Sequence, residues 1–172
     1  MSDAKNINSN EAPRACAFTG HRDIRPEHRA LVEDRLDRAI EYVYSLGVRD
    51  FFAGGALGFD TLAARAVIAF RMSHTDVRLN LVLPCLNQDA RWSEAQRDRY
   101  NFILKNADSV EYVTDEYKNG CMMLRNRRLA ELADVLVAYV YRRGSGSSQT
   151  VRMAKELGRT VYNISPSVEV NM

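Results

Sequence analysis

Short, apolar, β-rich runs alternate with longer helical segments along almost the whole chain, and this alternation constrains the fold more than any other feature. Parallel strands need long crossover connections, and helices usually provide them. The pattern therefore predicts an α/β fold with a doubly wound, mainly parallel sheet and helices on both faces. The predicted strands lie at 14–18, 50–53, 77–83, 109–113, 134–141 and 160–164. The predicted helices lie at 26–46, 61–72, 89–105, 122–132 and 149–157.

The length of 172 residues is that of one ordinary domain. Hydrophobic residues make up 46% of the chain and charged residues 27%, which excludes a disordered or collagen-like protein. We predict one domain at 14–165, a mobile polar tail at 1–13 and a short tail at 166–172. Since no run is apolar enough for a secretion signal or a membrane span, we expect a cytoplasmic protein with no membrane partner.

Charge and cysteine usage exclude several further classes. With 24 Lys and Arg against 22 Asp and Glu, the net charge of +2 is too balanced for a polycationic DNA coat. Cys16, Cys85 and Cys121 lack CxxC spacing and are interpreted as reduced thiols. The chain also lacks P-loop, HExxH and GxSxG motifs, so we expect no metal and no cofactor. His28 and His74 lie in polar stretches and are interpreted as exposed and incidental.

Ligands of doubly wound sheets bind outside the carboxyl ends of the strands, so the strand-to-helix loops are the places to search. The first such loop is Thr19-Gly20-His21-Arg22. Its glycine allows close backbone approach, its threonine offers a hydroxyl, and its arginine matches a phosphate or carboxylate. His21 is interpreted as a hydrogen-bonding residue in preference to a general base. A plain turn with a solvated arginine is the alternative interpretation of this loop.

The second loop, at 54–60, has three glycines and leads directly into a helix. Gly54, Gly55 and Gly58 could leave backbone N–H groups facing an anion, with the helix dipole adding attraction. Asp60 is predicted to be either the helix N-cap or the acceptor for a ribose hydroxyl. The spacing differs from the GxGxxG of nicotinamide dehydrogenases, so it does not indicate hydride transfer.

A third candidate pair follows the strand at 77–83. Gln88 and Trp92, the only tryptophan, are spaced i and i+4 and would share one face at the start of a helix. The indole could stack on a base while the amide reads its edge. Alternatively, Trp92 packs the helix onto the sheet.

The fourth candidate joins two segments. Arg125 and Asn126 lie near the start of one helix, and a Gly/Ser loop links the most β-rich strand to the next helix. Small residues, hydroxyls and a helix N-terminus together indicate a phosphate cradle that an arginine could close. The predicted ligand-binding residues of the loop are Gly144, Ser145, Gly146, Ser147, Ser148, Gln149 and Thr150.

Taken in order, these segments resemble the YpsA/YoqJ-type branch of the SLOG superfamily, which is named for the DNA-uptake protein DprA and the Lonely Guy enzymes. The resemblance spans 14–164 and is carried by the segments at 17–22, 54–60, 88–92, 125–126 and 145–150. It implies a Rossmann-like fold whose glycine loops bind a nucleotide or a nucleotide-derived ligand. It also implies self-association, so we expect a homodimer.

Two groups of relatives imply different activities. DprA-like proteins bind single-stranded DNA. Lonely Guy enzymes cleave the N-glycosidic bond of nucleoside monophosphates with an arginine placed like Arg125 and a glutamate that ends a GGxGTxxE motif. Here Ser145 replaces a glycine of that motif, and the glutamate's position falls on Val151 or Arg152.

Our leading hypothesis is a sensor or sequestering protein for a small nucleotide-type ligand, such as an ADP-ribose-like molecule. Arg22 and Arg125 would be the counter-charges of its phosphates. The first alternative is a nucleotide N-glycosidase in which Arg125 is catalytic and Asp60 or Glu156 replaces the missing glutamate. The second is single-stranded nucleic-acid binding through the arginines at 125, 127, 128, 142 and 143.

Overall fold

The computed structural model describes residues 11–167, which form six strands and five α-helices. The strands are β1 (Ala15–Gly20), β2 (Asp50–Ala53), β3 (Arg78–Leu83), β4 (Ser109–Tyr112), β5 (Val135–Tyr139) and β6 (Thr160–Asn163). The helices are α1 (Arg29–Ser45), α2 (Phe59–Arg71), α3 (Glu94–Asn106), α4 (Cys121–Leu132) and α5 (Gly146–Glu156), with a single 3₁₀ turn at Pro26–His28 before α1. Residues 1–10 and 168–172, and with them most of the two predicted tails, lie outside the described residues.

All strand pairs are parallel, and the strand order is β4-β3-β2-β1-β5-β6. The chain moves outward from β1 to β4 and then returns to β5 on the other side of β1. Strand order therefore reverses between β1 and β5, which is where a doubly wound sheet opens a crevice for a ligand. The predicted α/β fold with a doubly wound parallel sheet is confirmed.

Helices cover both faces of the sheet. Helices α1, α2 and α3 pack on one face through side chains such as Leu36, Phe59 and Ile103. Helices α4 and α5 cover the other face through Leu129 and Ala154. Because β5 lies between these layers, all five of its residues are buried, whereas all four residues of the edge strand β4 are exposed. Burial on both faces explains why 134–141 is such a continuous apolar run.

Capping boxes explain why α3 and α5 begin at residues other than those predicted. Helix α3 begins at Glu94 instead of 89, because Ser93 and Gln96 form a capping box that fixes its first turn. Helix α5 begins at Gly146 instead of 149, because Ser145 and Ser148 form a second capping box. Much of the predicted Gly/Ser loop is therefore the first turn of a helix.

In the described part of the chain, no helix is both long and apolar enough to cross a membrane. Nor do residues 11–167 contain a group of three or more His, Cys, Asp or Glu side chains that could hold a metal ion.

Candidate functional site

A cavity of about 360 Å³ lies at the carboxyl ends of β1 and β5, between the loop after β1, helix α4 and the first turn of α5. We call it the switch-point cavity. Ten of the predicted site residues line it: Thr19, Gly20, His21, Arg22, Asp60, Arg125, Asn126, Ser145, Gly146 and Ser147. Its other lining residues are Asp23, Ala56, Met122, Leu129 and Arg142. Three of the four predicted loops therefore converge on one space.

Gln88 and Trp92 do not line this cavity. They lie in turns before α3, so the prediction that they share a helix face is wrong. The Gln88 side-chain amide donates to the Tyr100 hydroxyl at 2.9 Å and to the Gly55 carbonyl at 3.4 Å. The Trp92 ring meets the Tyr100 ring edge-on, with 5.2 Å between centroids. Both side chains thus pack around Tyr100 of α3. Trp92 also packs against the core, in line with the alternative that this residue packs onto the sheet.

The glycines at 54, 55 and 58 allow the loops to close on one another. A Cβ atom at Gly54 would overlap the Arg125 guanidinium, and one at Gly55 would overlap the Leu83 side chain. At Gly58 it would overlap the backbone carbonyl of Arg22. The space beside these glycines is therefore filled by the protein itself. Gly58 allows the loop after β2 to pack against the loop after β1, whereas Gly54 and Gly55 allow it to pack against Arg125 and Leu83.

Asp60 and Arg125 form a buried ion pair beneath the cavity. Gly58 is the N-cap of α2, so the N-cap prediction for Asp60 is wrong, and its carboxylate instead accepts from the Ala56 N–H at 3.3 Å. The Arg125 Nη1 atom lies 3.8 Å from Asp60 Oδ2 and donates to the Gly54 carbonyl. Burial raises the pKa of Asp60, and Arg125 opposes that shift. Arg125 thus already has partners within the protein.

Asn126 lies in the second turn of α4, next to Arg125. Its Oδ1 accepts from Arg125 Nε at 2.8 Å, which leaves the NH₂ group on the side of Gly146. Consecutive residues of a helix project in different directions, so Arg125 contacts the loop after β2 while Asn126 faces α5. Asn126 therefore places a hydrogen-bond donor next to the start of α5.

His21 joins the ends of the two central strands. Its side chain is only 3% exposed, and Nε2 accepts from the Tyr141 backbone N–H at 3.1 Å. Burial lowers the pKa of His21 to about 4, and the charge of Arg142 acts in the same direction. The ring is therefore neutral at pH 7, which is what an acceptor role requires.

We predict that His21 lowers the free energy of unfolding in acid. Because its pKa falls from 6.5 to about 4 on folding, the unfolded chain binds more protons between these values. The unfolding free energy should thus fall by about 3 kcal/mol as the pH drops through that window. Urea denaturation at about pH 7 and about pH 4.5 measures this loss. In His21→Gln, which keeps an acceptor but does not titrate, the pH-dependent loss should be smaller by that amount. Equal losses in both proteins would contradict the assignment.

The start of α5 presents unsatisfied donors to the cavity. The capping box uses the N–H groups of Ser145 and Ser148, while those of Gly146 and Ser147 have no protein acceptor within residues 11–167. Such amides carry the positive end of the helix dipole. Thr150, in contrast, is fully buried, and its hydroxyl donates to the Gly146 carbonyl at 2.9 Å. Gly144, Ser148 and Gln149 also lie outside the lining of the cavity.

The rim of the cavity is mainly basic. The Arg22 and Arg142 side chains are exposed there, and Asp23 is the acidic residue among them. The Asp23 carboxylate accepts from Arg142 at 3.4 Å and from the Tyr141 hydroxyl at 3.1 Å. Thr19 is 5% exposed, and its hydroxyl makes no hydrogen bond to the described residues. Free amides, a hydroxyl and cations around one space are the groups that hold an oxyanion.

The family model described as the YspA SLOG family, named YpsA, matches residues 18–164. The chain belongs to this YpsA family. Among curated relatives, a UPF0398 protein of Halalkalibacterium halodurans is 31% identical over 134 residues, which cover 75% of this chain and 71% of that protein. A UPF0398 protein of Bacillus cereus strain G9842 is 29% identical over 130 residues, covering 74% and 71% of the two chains. The resemblance inferred from the loop motifs is confirmed.

Among solved structures, this YpsA-family chain is similar to DNA processing protein A from Helicobacter pylori. The structure of that protein was solved to describe how it binds single-stranded DNA. The TM-score is 0.63 at 22% identity, and the match covers 87% of this chain but 64% of that one. For DNA processing protein A from Streptococcus pneumoniae the TM-score is 0.64 at 21% identity, with 87% and 50% covered. These similarities show a shared fold.

The two other histidines of the YpsA-family chain are less exposed than expected. His28 is buried, with Nδ1 2.9 Å from the Tyr139 hydroxyl, so its interpretation as exposed is wrong. His74 is half-buried and stacks on Phe70 with 3.8 Å between centroids. Sequence reasoning also did not predict that Asp23 would line the cavity. Its position directly after the Thr-Gly-His-Arg loop could have indicated that it lies at the site.

Proposed function

We propose that this protein binds a nucleotide or a nucleotide-derived small ligand in the switch-point cavity, as a sensor or sequestering protein. One observation carries the proposal: Gly146 and Ser147, whose N–H groups have no acceptor within residues 11–167, line a cavity that Thr19 and Asn126 also line. A phosphate would accept from these amides at the helix N-terminus. Arg22 and Arg142 at the rim would balance its charge.

The size of the cavity suits this class of ligand. Its volume of about 360 Å³ lies at the lower end of the range for small-molecule sites. A phosphate at α5 would leave the sugar and base to occupy the remainder, toward the basic rim. Binding at the reversal of strand order is also the general rule for doubly wound sheets.

We favour binding over glycosidic bond cleavage because the two carboxylates that line the switch-point cavity within residues 11–167, Asp23 and Asp60, are each paired with an arginine. Val151 and Arg152, where the Lonely Guy glutamate would fall, line a separate surface depression with Lys155. Of the suggested substitutes, Asp60 is paired with Arg125, and Glu156 lies 3.8 Å from Arg152 on the exposed end of α5. An N-glycosidase needs a carboxylate at the reacting sugar.

A negative charge introduced at the start of α5 tests the proposal. We expect Gly146→Asp to weaken binding of 5′-AMP or ADP-ribose by roughly 10- to 100-fold, because its carboxylate would lie beside the phosphate and repel it. Titration calorimetry on the full chain measures the affinity. The fold should survive, since Gly146 does not have a positive φ, an added Cβ would meet Asn126 only at 3.4 Å, and an acid in the first turn favours the helix dipole.

The control is Gly146→Asn, which has nearly the same shape without the charge. It should bind within about threefold of the parent protein. If both substitutions weaken binding equally, steric blocking replaces charge as the explanation and the phosphate position is wrong. If the parent protein binds none of the nucleotides, the proposed function is wrong.

Single-stranded DNA binding receives less support from the arginines that suggested it. Arg125 is buried, Arg127 pairs with Glu131, and Arg128 pairs with Glu111. Arg142 and Arg143 are exposed, which leaves two of the five arginines for contacts with phosphates. Non-specific DNA affinity depends on several cations that can each neutralise a phosphate. We therefore assign the switch-point cavity to a nucleotide-sized ligand and not to non-specific binding along a DNA strand.

A further inference from the structure

A second cavity, also of about 360 Å³, lies beside the switch-point cavity on the far side of the loop after β1. Four arginines line it: Arg22, Arg29, Arg65 and Arg99. We call it the arginine cavity. These side chains come from the loop after β1, from α1, from α2 and from α3, so only the tertiary fold brings them together. Thr61 and Gln96 add polar groups to its wall.

Most of this positive charge has no acidic partner within the described residues. Arg29 pairs with Glu33 at 2.6 Å, but Arg22, Arg65 and Arg99 take part in none of the ion pairs formed within residues 11–167. Other arginines of the same helices do have partners: Arg38 of α1 pairs with Asp34, and Arg71 of α2 pairs with Asp108. Like charges that converge without partners repel one another, and an anion between them removes that repulsion.

The two cavities share part of their walls. Arg22 and Asp23 line both, and Gly58, which packs against the Arg22 backbone, lines the arginine cavity. The one carboxylate at this junction already accepts from Arg142 and Tyr141. A ligand bound at the start of α5 can therefore extend past Arg22 without meeting an unpaired acid.

We propose that the arginine cavity binds a second anionic group of the ligand in the switch-point cavity. The inference rests on the proposed function and narrows its ligand class to nucleotide derivatives that carry a further phosphate in pyrophosphate or phosphodiester linkage. Such a ligand is either a free small molecule or the end of a single-stranded nucleic acid. Arg65 and Arg99 contact only the added group, whereas Arg22 contacts both parts.

The double variant Arg65→Gln/Arg99→Gln separates the two subsites. Three probes are titrated by calorimetry: 5′-AMP with one phosphate, ADP-ribose with a pyrophosphate, and the 5′-phosphorylated dinucleotide pApA with a phosphodiester. We expect the double variant to bind at least one of the two larger probes about tenfold or more weakly, and 5′-AMP within about twofold of the parent protein. A loss confined to ADP-ribose indicates a free pyrophosphate ligand, and one confined to pApA indicates a nucleic-acid end.

The matched control is Arg97→Gln, which removes an exposed arginine of α3 that does not line the arginine cavity. It should leave all three affinities unchanged. The inference fails if the double variant binds both larger probes as well as the parent protein does, or if it loses 5′-AMP to the same extent. Those results leave the proposed function intact, provided that 5′-AMP binds. If none of the three probes binds the parent protein, the proposed function fails, and this inference fails with it.

Discussion

Replacing Gly58 with alanine should lower the unfolding free energy by about 4 kcal/mol, from backbone strain together with a steric clash. Gly58 has φ 78° and ψ −120°, a region that side chains disfavour. A Cβ there would also overlap the Arg22 carbonyl, so the loops after β1 and β2 would have to separate. Chemical denaturation monitored by circular dichroism measures the loss.

Gly120→Ala is the matched control. Gly120 also has a positive φ, 87°, but a Cβ there would meet no atom within 4 Å. The control should therefore cost only the backbone strain, about 1 kcal/mol. Similar losses in the two variants would show that the loops after β1 and β2 do not depend on close packing at Gly58.

Arg125→Ala should lower the unfolding free energy by about 3–5 kcal/mol, because it leaves the Asp60 carboxylate buried without its cation. The two side chains are 6% and 7% exposed, so water cannot replace the lost partner without rearrangement. The Gly54 carbonyl and the Asn126 side chain would each lose a donor as well. The same denaturation experiment measures this loss.

The double variant Arg125→Ala/Asp60→Asn isolates the electrostatic part of that loss. Neutralising Asp60 removes the stranded charge, so the double variant should be more stable than Arg125→Ala alone. A double variant that is less stable would contradict the account. Because Arg125 supports the loops beneath the cavity, reduced nucleotide binding in Arg125→Ala would not by itself identify a ligand contact.

Much of the fold was predictable from the sequence because its signals are local. The alternation of apolar runs with amphipathic segments depends only on neighbouring residues, and it was sufficient to predict the parallel sheet and the strand ends that carry the site. Helix starts were less predictable. The capping boxes at Ser93 and Ser145 depend on side-chain hydrogen bonds, which the spacing of apolar residues does not show. As a result, α3 begins later than predicted and α5 begins earlier.

The residue types of the site were also readable from the sequence, but their individual roles were not. Glycines, hydroxyls and arginines at strand ends indicate an anion site wherever they occur. Arg22 and Arg125 look alike in the sequence, yet the first is exposed at the rim and the second is buried against Asp60. Burial and pairing depend on which distant segment lies opposite, and a local pattern does not contain that information.

The sequence by itself thus determined the doubly wound sheet and the end of the sheet at which the candidate site lies, because periodicity and turn chemistry act over a few residues. Only the tertiary structure decided that the glycines after β2 pack against the protein, that His21 is a neutral acceptor, and that Arg22, Arg65 and Arg99 surround one cavity. Each of these depends on contacts between segments tens of residues apart, which exist only once the chain has folded.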